Sequence, residues 1–247
     1  ESPEMRAAYT VAASSTAVTT LGFLSGDRSL VVMSEDGAVS TWGLVRRADA
    51  PSGWTLTQIH TLRAHNAPVT AFAPSQRVKG FVTGDMKGNL FLHHATSSQT
   101  LLRLANSEFP IRAVAFAPKG DGLIALDGAG QLSLYQVQNA YPEVTLETLF
   151  GKVWYEGYDQ PAHVWQSSSG SDDVEPKLGL LPLAFGTLKG TMYALFLAVP
   201  IAILAAMCTS QFMHQDLRAK IKPIIEVMAA LPTVVLGFLA GLWLAPL

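Results

Sequence analysis

VTAFAPSQRVKGFVTGDMKGNLFLHHA, residues Val69–Ala95, is the stretch that decides the fold. A hydrophobic run reaches a turn at Asp85–Gly88, and apolar and polar positions then alternate. That is the period-2 signal of strands joined by tight turns. The same layout occurs at VTTLGFLSGDRSLVVMSEDGAVSTWGLV (Val18–Val45) and at IRAVAFAPKGDGLIALDGAGQLSLYQV (Ile111–Val137). Phe23, Phe72 and Phe116 take one shared position, and Gly37, Gly88 and Gly130 another. After each glycine come Val39 and Thr41, Leu90 and Leu92, or Leu132 and Leu134, then Trp42, His93 or Tyr135. The glycines are 51 and 42 residues apart, and the longer interval carries the extra loop RRADAPSGWT. Three such units predict a mainly β region.

Each unit has the length and order of a four-stranded blade, and residues 11–137 resemble degenerate WD40-like β-propeller repeats. In that family a His before the first strand and an Asp in a later turn tie the blade together. The resemblance carries these roles onto His65 and Asp85, with Trp42 as a further structural propeller residue. Ala64 replaces the family's Gly before the His, and no Trp-Asp dipeptide closes a repeat. Three blades do not close a ring that usually takes four to eight. The others are expected upstream of Glu1 or from another copy.

Composition and motifs exclude several functions. Residues 1–176 carry a net charge of −5, with no basic field suited to nucleic acid. His93 and His94 are adjacent on a strand and point to opposite faces, so no metal site is expected. Asp36, Asp85 and Asp127 fall in turns, where Asp bonds the local backbone. No Gly-rich phosphate loop, nucleophile–base spacing or catalytic carboxylate pair occurs, so the chain is expected to be no enzyme and to carry no cofactor. The single Cys208 forms no intrachain disulfide.

Past Leu149 the character changes. TLFGKVWYEGYDQPAHVWQ concentrates Phe150, Trp154, Tyr155, Tyr158 and Trp165. Two readings are open: an amphipathic segment at a bilayer interface, or a blade edge or packed loop. SSSGSDDVEP (Ser167–Pro176) reads as a flexible acidic linker. Beyond it, Gly190–Met213 runs 24 residues and Val227–Leu247 runs 21 without an acidic or basic side chain. A membrane helix needs about 20 such residues. The pattern predicts a transmembrane helical hairpin, with helices at about 187–210 and 223–245. The expected domains are 1–148 (propeller-like), 149–177 (connector and linker) and 178–247 (membrane segment). Residues 177–247 carry +3, and Arg218, Lys220 and Lys222 cluster between the two runs. Basic short loops stay cytoplasmic, which puts residues 1–177 outside, in the periplasm of a Gram-negative cell. The start at Glu1 and the stop inside an apolar run suggest a piece of a larger protein.

GLLPLAFGTLKGTMYALFLAVPIAILAAMCTSQF and LRAKIKPIIEVMAALPTVVLGFLAGLWLAPL resemble the permease subunit of bacterial ABC-type phosphate importers over residues 149–247. The shared traits are Pro182, Gly186, Thr187 and Leu188 at the entry, Ala198–Pro200, and a block of Glu226, Ala229–Val235 and Gly237. The resemblance implies a multi-pass inner-membrane protein that passes phosphate by alternating access. Its implied partners are a second permease subunit, a cytoplasmic ATPase, an external phosphate-binding protein and membrane lipids. A propeller before the second membrane helix departs from the family, whose external segment is short, and is expected to dock or sense a partner. The family's cytoplasmic coupling motif is expected beyond Leu247, and Ala229-Ala230 lie inside an apolar helix.

Glu226, Pro232, Thr233, Pro200 and Gly237 are the candidates for the translocation path or gate. Prolines remove backbone donors and bend helices, and small residues let helices approach. Glu226 is the one acid of the second run, and an ionisable group there is a candidate for function. It is equally placed to sit at the headgroups or to pair with Lys222 at i, i+4. The alternative to a permease is a membrane-anchored WD40-like interaction scaffold.

Overall fold

The computed structural model describes residues 10–48, 50, 53–138, 140–166, 174–229 and 232–244. The chain divides into two compact units, Glu1–Phe185 and Gly186–Leu247.

The first unit is built from antiparallel meanders. Sheet 1 holds β1 (Val18–Phe23), β2 (Ser29–Ser34), β3 (Val39–Arg46) and β4 (Trp54–Leu62). Sheet 2 holds β5 (Val69–Pro74), β6 (Gly80–Asp85), β7 (Asn89–His94) and β8 (Gln99–Ala105). Sheet 3 has three strands, β9 (Ile111–Phe116), β10 (Gly122–Asp127) and β11 (Leu132–Gln136). A two-residue pair follows, β12 (Trp165–Gln166) with β13 (Lys177–Leu178). The first strands are neighbours in turn, β1 beside β5 and β5 beside β9. Among the described residues the sheets do not close into a ring, so the propeller expectation holds only as far as consecutive meanders.

Sheet 2 is covered on both faces. Val31, Met33 and Val39 from sheet 1 pack with Val69 and Phe81, whereas Ala71, Val82 and Leu90 pack with Ile111, Leu123 and Ala125 of sheet 3. Phe81 and Val82 are adjacent on β6 and serve opposite cores, as strand alternation requires. All six residues of β6 are buried. The outer faces differ: Leu21 is 63% exposed on sheet 1, and Leu134 is 75% exposed on sheet 3.

The repeat extends to backbone detail. A register shift falls at the start of each first strand, between Val18 and Thr20, between Val69 and Ala71, and opposite Ile111. Each bulge inserts one residue and so changes which face the strand's first side chain meets. Val69 therefore joins the core toward sheet 1, while Ala71 joins that toward sheet 3.

In the second unit the expected first helix, at about 187–210, lies within one long helix, and the expected second, at about 223–245, is interrupted. Its first helix, α2 (Leu181–Met207), passes through Pro200 and ends in a π-helical turn, Cys208–Phe212. This Leu181–Phe212 stretch is the one described helix long and apolar enough to cross a membrane. The second run is broken into α3 (Gln215–Ala229) and α4 (Thr233–Leu239), the latter continuing as a π-helical turn to Leu244. Pro232 stands at the cap of α4 with φ −59° and ψ 120°, outside the helical region. Proline lacks an N–H and disfavours helix in the residue before it, which accounts for a break there. The basic stretch expected as a loop is helical: Arg218, Lys220 and Lys222 all lie on α3.

Candidate functional site

Three places hold the residues singled out in the sequence. The first is the turn between β6 and β7. The Asp85 Oδ1 accepts from the Lys87 and Asn89 backbone N–H groups at 2.9 Å each. Its Oδ2 accepts from Asn89 Nδ2 at 2.8 Å and from His65 Nδ1 at 2.9 Å. Gly88 holds φ +81°, and an added Cβ would meet the Ser107 carbonyl oxygen at 1.9 Å. Only glycine fits both demands.

The carboxylate fixes every proton behind it. An ionised Asp85 only accepts, so His65 Nδ1 donates. Burial holds the His65 ring below its ordinary 6.5 against the raising effect of Asp85, so the ring is neutral and its Nε2 accepts from the Thr83 hydroxyl at 2.7 Å. With that proton spent, Thr83 accepts from His93 Nε2 at 3.0 Å, and His93 Nδ1 accepts from Thr100 Oγ1 at 2.9 Å. Burial pushes Asp85 up, but the bonds from Asn89 and His65 outweigh it and hold the carboxyl below 3.8. His65 also stacks on Phe91, centroids 3.8 Å apart.

His65 and Asp85 are thus together, while Trp42 lies in sheet 1, where its Nε1 donates to Ser40 Oγ at 2.9 Å. Sequence reading missed the equivalents. Ser107 Oγ donates to Asp127 Oδ2 at 2.6 Å, and Ser34 Oγ to Ser14 Oγ at 2.9 Å. The three pairs are each 20 residues apart, a spacing that was visible in the repeats. His93 and His94 belong to the buried core, with their rings lowered to about 3 and about 4 by burial. Among the described residues no cluster of three or more His, Cys, Asp or Glu suits a metal ion.

The second place is the aromatic connector, of which the packed-loop reading fits the structure. Helix α1 (Leu146–Phe150) is capped by Thr145, whose side chain accepts from the Thr148 N–H at 3.0 Å. Tyr155 is 1% exposed, His60 Nε2 bonds the Trp154 carbonyl at 3.1 Å, and the Arg46 N–H donates to Asp159 at 2.9 Å. Residues 167–173 of the acidic stretch lie outside the described residues, but Glu175 is 7% exposed and hydrogen-bonded. A cavity of about 540 Å³ borders this connector, with Trp42, Trp54, Trp154, Lys79, Glu156 and Glu175 among its lining residues.

The third place is on the second unit. A concavity of about 400 Å³ is lined by Thr209, Ser210, Arg218, Ile221, Lys222, Ile225 and Glu226. The α3 residues recur at three- and four-residue steps, which puts them on one face. Arg218 Nη2 donates to the Ser210 carbonyl and so ties α3 to the end of the first helix. Among the described residues, Lys222 and Glu226 form no ion pair with each other. Lys220, two residues from each neighbouring cation, is absent from this face. Pro200 is within α2, and Thr233 and Gly237 lie on α4 beyond Pro232.

No family model matches the chain. Over 74 residues, 30% of its length, it is 31% identical to the probable ABC transporter permease protein YqgH of Bacillus subtilis (strain 168). The chain spans 24% of that relative's length. Among solved structures, the computationally designed Ika8 protein aligns with a TM-score of 0.39 and 21% identity, over 48% of this chain and 33% of that one. Part of the chain therefore resembles an ABC transporter permease, and that relative together with one apolar helix points to a membrane location.

Proposed function

We propose that the chain is part of the membrane permease subunit of an ABC-type phosphate importer, with an external propeller domain that docks or senses a partner. The observation that carries the reading is the 74-residue likeness to a permease in a chain that also holds a membrane-length apolar helix. The Glu226–Gly237 block supports it further, because a mere anchor needs hydrophobicity but not a break at Pro232 or an acid on the helix before it. In this reading the second unit contributes to the translocation path and crosses the membrane more than once. Pro232 and Gly237 shape a discontinuous helix, a form tolerated in membranes where it lines a cavity. Arg218, Lys220 and Lys222 face the cytoplasm. ATP hydrolysis belongs to a partner ATPase, and an external binding protein delivers phosphate. The three meanders are consecutive blades of a ring that lies on the periplasmic side.

The test is uptake of radiolabelled phosphate, under phosphate starvation, in cells that lack and then regain the intact gene. Loss and rescue support the reading. Unchanged phosphate uptake with loss of another oxyanion's uptake overturns the substrate and keeps the permease. Unchanged uptake of every oxyanion favours a membrane-anchored scaffold.

A further inference from the structure

Helix α3 presents two faces of unlike chemistry. On a helical wheel Leu217, Ile221, Ile224, Ile225 and Met228 fall within an arc of about 100°. Ile221 is half-buried, and the other four are 51% to 62% exposed. Of the large apolar residues on α3 only Val227 falls outside the arc. The three cations border it: Arg218 and Lys222 lie beyond Ile225 on one side, and Lys220 lies beyond Ile224 on the other. The two acids, Asp216 and Glu226, fall within about 50° of the pole opposite the arc. Cations on both margins and acids at the far pole suit a surface that is apolar beneath and negative at its edge.

Connectivity puts such a surface beside α3. The membrane-length helix ends at Phe212, and α3 starts at Gln215 after only Met213 and His214. A chain that leaves a bilayer at Phe212 is still at the level of the headgroups there. Arg218, in the first turn of α3, donates to the Ser210 carbonyl and fastens that turn to the end of the first helix. At its other end α3 meets the following helix, Thr233–Trp243, at 82°. A helix nearly perpendicular to one that enters the bilayer lies close to the membrane plane. Pro223 requires the same orientation. It has no N–H for the Ala219 carbonyl, and both residues fall on the side of the acids, where water reaches the freed group. Turned into hydrocarbon, that carbonyl would be left unpaired.

We propose that α3 lies in the cytoplasmic headgroup plane of the membrane and binds anionic lipid there. Leu217, Ile221, Ile224, Ile225 and Met228 enter the acyl boundary, and anionic headgroups hold Arg218, Lys220 and Lys222. Lysine and arginine have apolar stems, so cations at the margins of the arc reach from the acyl boundary up to phosphate. The negative leaflet attracts each of these charges over about a Debye length. Asp216 and Glu226 stay on the water side, away from the like-charged headgroups. Glu226 thus faces the cytoplasm and not the core of the bilayer. The inference rests on the membrane reading of the second unit and is independent of which solute is carried.

The test is spin labelling of the full chain carrying Cys208→Ser, in vesicles of phosphatidylcholine alone or with about one-third phosphatidylglycerol. One nitroxide at a time is placed by Leu217→Cys, Ile221→Cys, Ile224→Cys or Met228→Cys on the apolar face, and by Ala219→Cys or Glu226→Cys on the polar face. Accessibility to oxygen against a nickel chelate should put the apolar-face labels about 10 Å deeper than the polar-face ones. Phosphatidylglycerol should draw the apolar-face labels further in. Arg218→Gln, Lys220→Gln and Lys222→Gln together should cancel that gain; if the triple variant does not reconstitute, about 1 M salt should cancel it for the original cations. Depth that grows steadily from residue 217 to 228 makes α3 part of a span and overturns the proposal, as does equal exposure of both faces to water. Alternating depth that is indifferent to phosphatidylglycerol overturns the lipid binding. A label at Ile201→Cys, in α2, separates this inference from the reading beneath it. If that label is deep in hydrocarbon, a failure on α3 concerns α3 alone; if it is open to water, the membrane reading falls and the inference with it.

Discussion

Asp85→Ala is the most informative single substitution in the first unit. The side chain accepts four hydrogen bonds, two from the turn amides of Lys87 and Asn89, one from Asn89 Nδ2 and one from His65 Nδ1. Both Asp85 and His65 are buried, and truncation leaves the imidazole with a buried N–H and no partner. Hydrogen bonds to a charged acceptor contribute about 1.5–3 kcal/mol each, and breaking one side of a buried pair costs about 3–5 kcal/mol. The turn amides are part-buried and regain water, so the sum over four bonds overstates the loss. About 3–5 kcal/mol is the expected cost. For a unit of this size that lowers Tm by about 6–20 °C, read as the far-UV sheet signal of the full chain in detergent. Ser107→Ala removes a single bond to Asp127 and should have a clearly smaller effect. If Asp85→Ala lowers Tm by less than about 3 °C, or by no more than Ser107→Ala, then the relay from Asp85 to Thr100 does not hold sheet 2 together.

The glycines offer a paired contrast: Gly88→Ala places a Cβ against the Ser107 carbonyl and should melt far below wild type, whereas Gly130→Ala, with φ +83° and nothing within 4 Å, should lose only about 1–2 kcal/mol of left-handed strain. Equal losses in thermal melts would discredit the close approach at Gly88. Stability of the first unit should fall as pH drops below 6.5, because His93 and His94 bind protons in the unfolded chain but resist them in the fold down to about 3 and about 4. Each contributes a slope of about 1.4 kcal/mol per pH unit, and His93→Gln should flatten the acid limb of a denaturation series. On the permease reading, Pro232→Leu in the full-length protein is expected to restore helix across the break and abolish uptake while membrane insertion persists; normal uptake by an inserted mutant would remove the argument from the break. Glu226→Gln should reduce uptake less, and unaltered kinetics across pH would make Glu226 a helix-end residue.

What was legible in the sequence was whatever repeats or alternates. The three glycines at the shared repeat position all have φ between +81° and +83°, and the strands after them run where the alternation put them. The connector was harder to read, because its place depends on polar partners distant in sequence. Ser29 reaches Glu156 across 127 residues and Thr96 reaches Glu175 across 79, and no local pattern signals either bond. In the second apolar run Pro232 signalled a bend, but hydropathy integrates over a window and does not separate a kinked helix from two helices, α3 and α4, with Pro232 at the cap of the second. Similarly, the charges of Arg218, Lys220 and Lys222 suggested a loop, whereas apolar Leu217, Ile221, Ile224 and Ile225 at helical spacing on the same stretch form α3.

The three junction pairs, at one spacing on one backbone, differ in strength in a way that burial explains. The bonds of Ser14 with Ser34 and of Ser107 with Asp127 are part-buried, so water can replace a lost partner. His65 with Asp85 lies in the sheet covered on both faces, where the bond is fully buried. An unmade bond there is left without water, which makes a half-satisfied network worse than an apolar core. The middle repeat accordingly carries the network to completion, from carboxylate through two imidazoles and two hydroxyls, with each donor matched to an acceptor. Replacing His65 and Asp85 together by a serine pair, as in the first repeat, would therefore fail in sheet 2. Two hydroxyls cannot span the distance that the imidazole covers between Asp85 and Thr83, and Thr83 would keep a buried hydroxyl with one partner fewer.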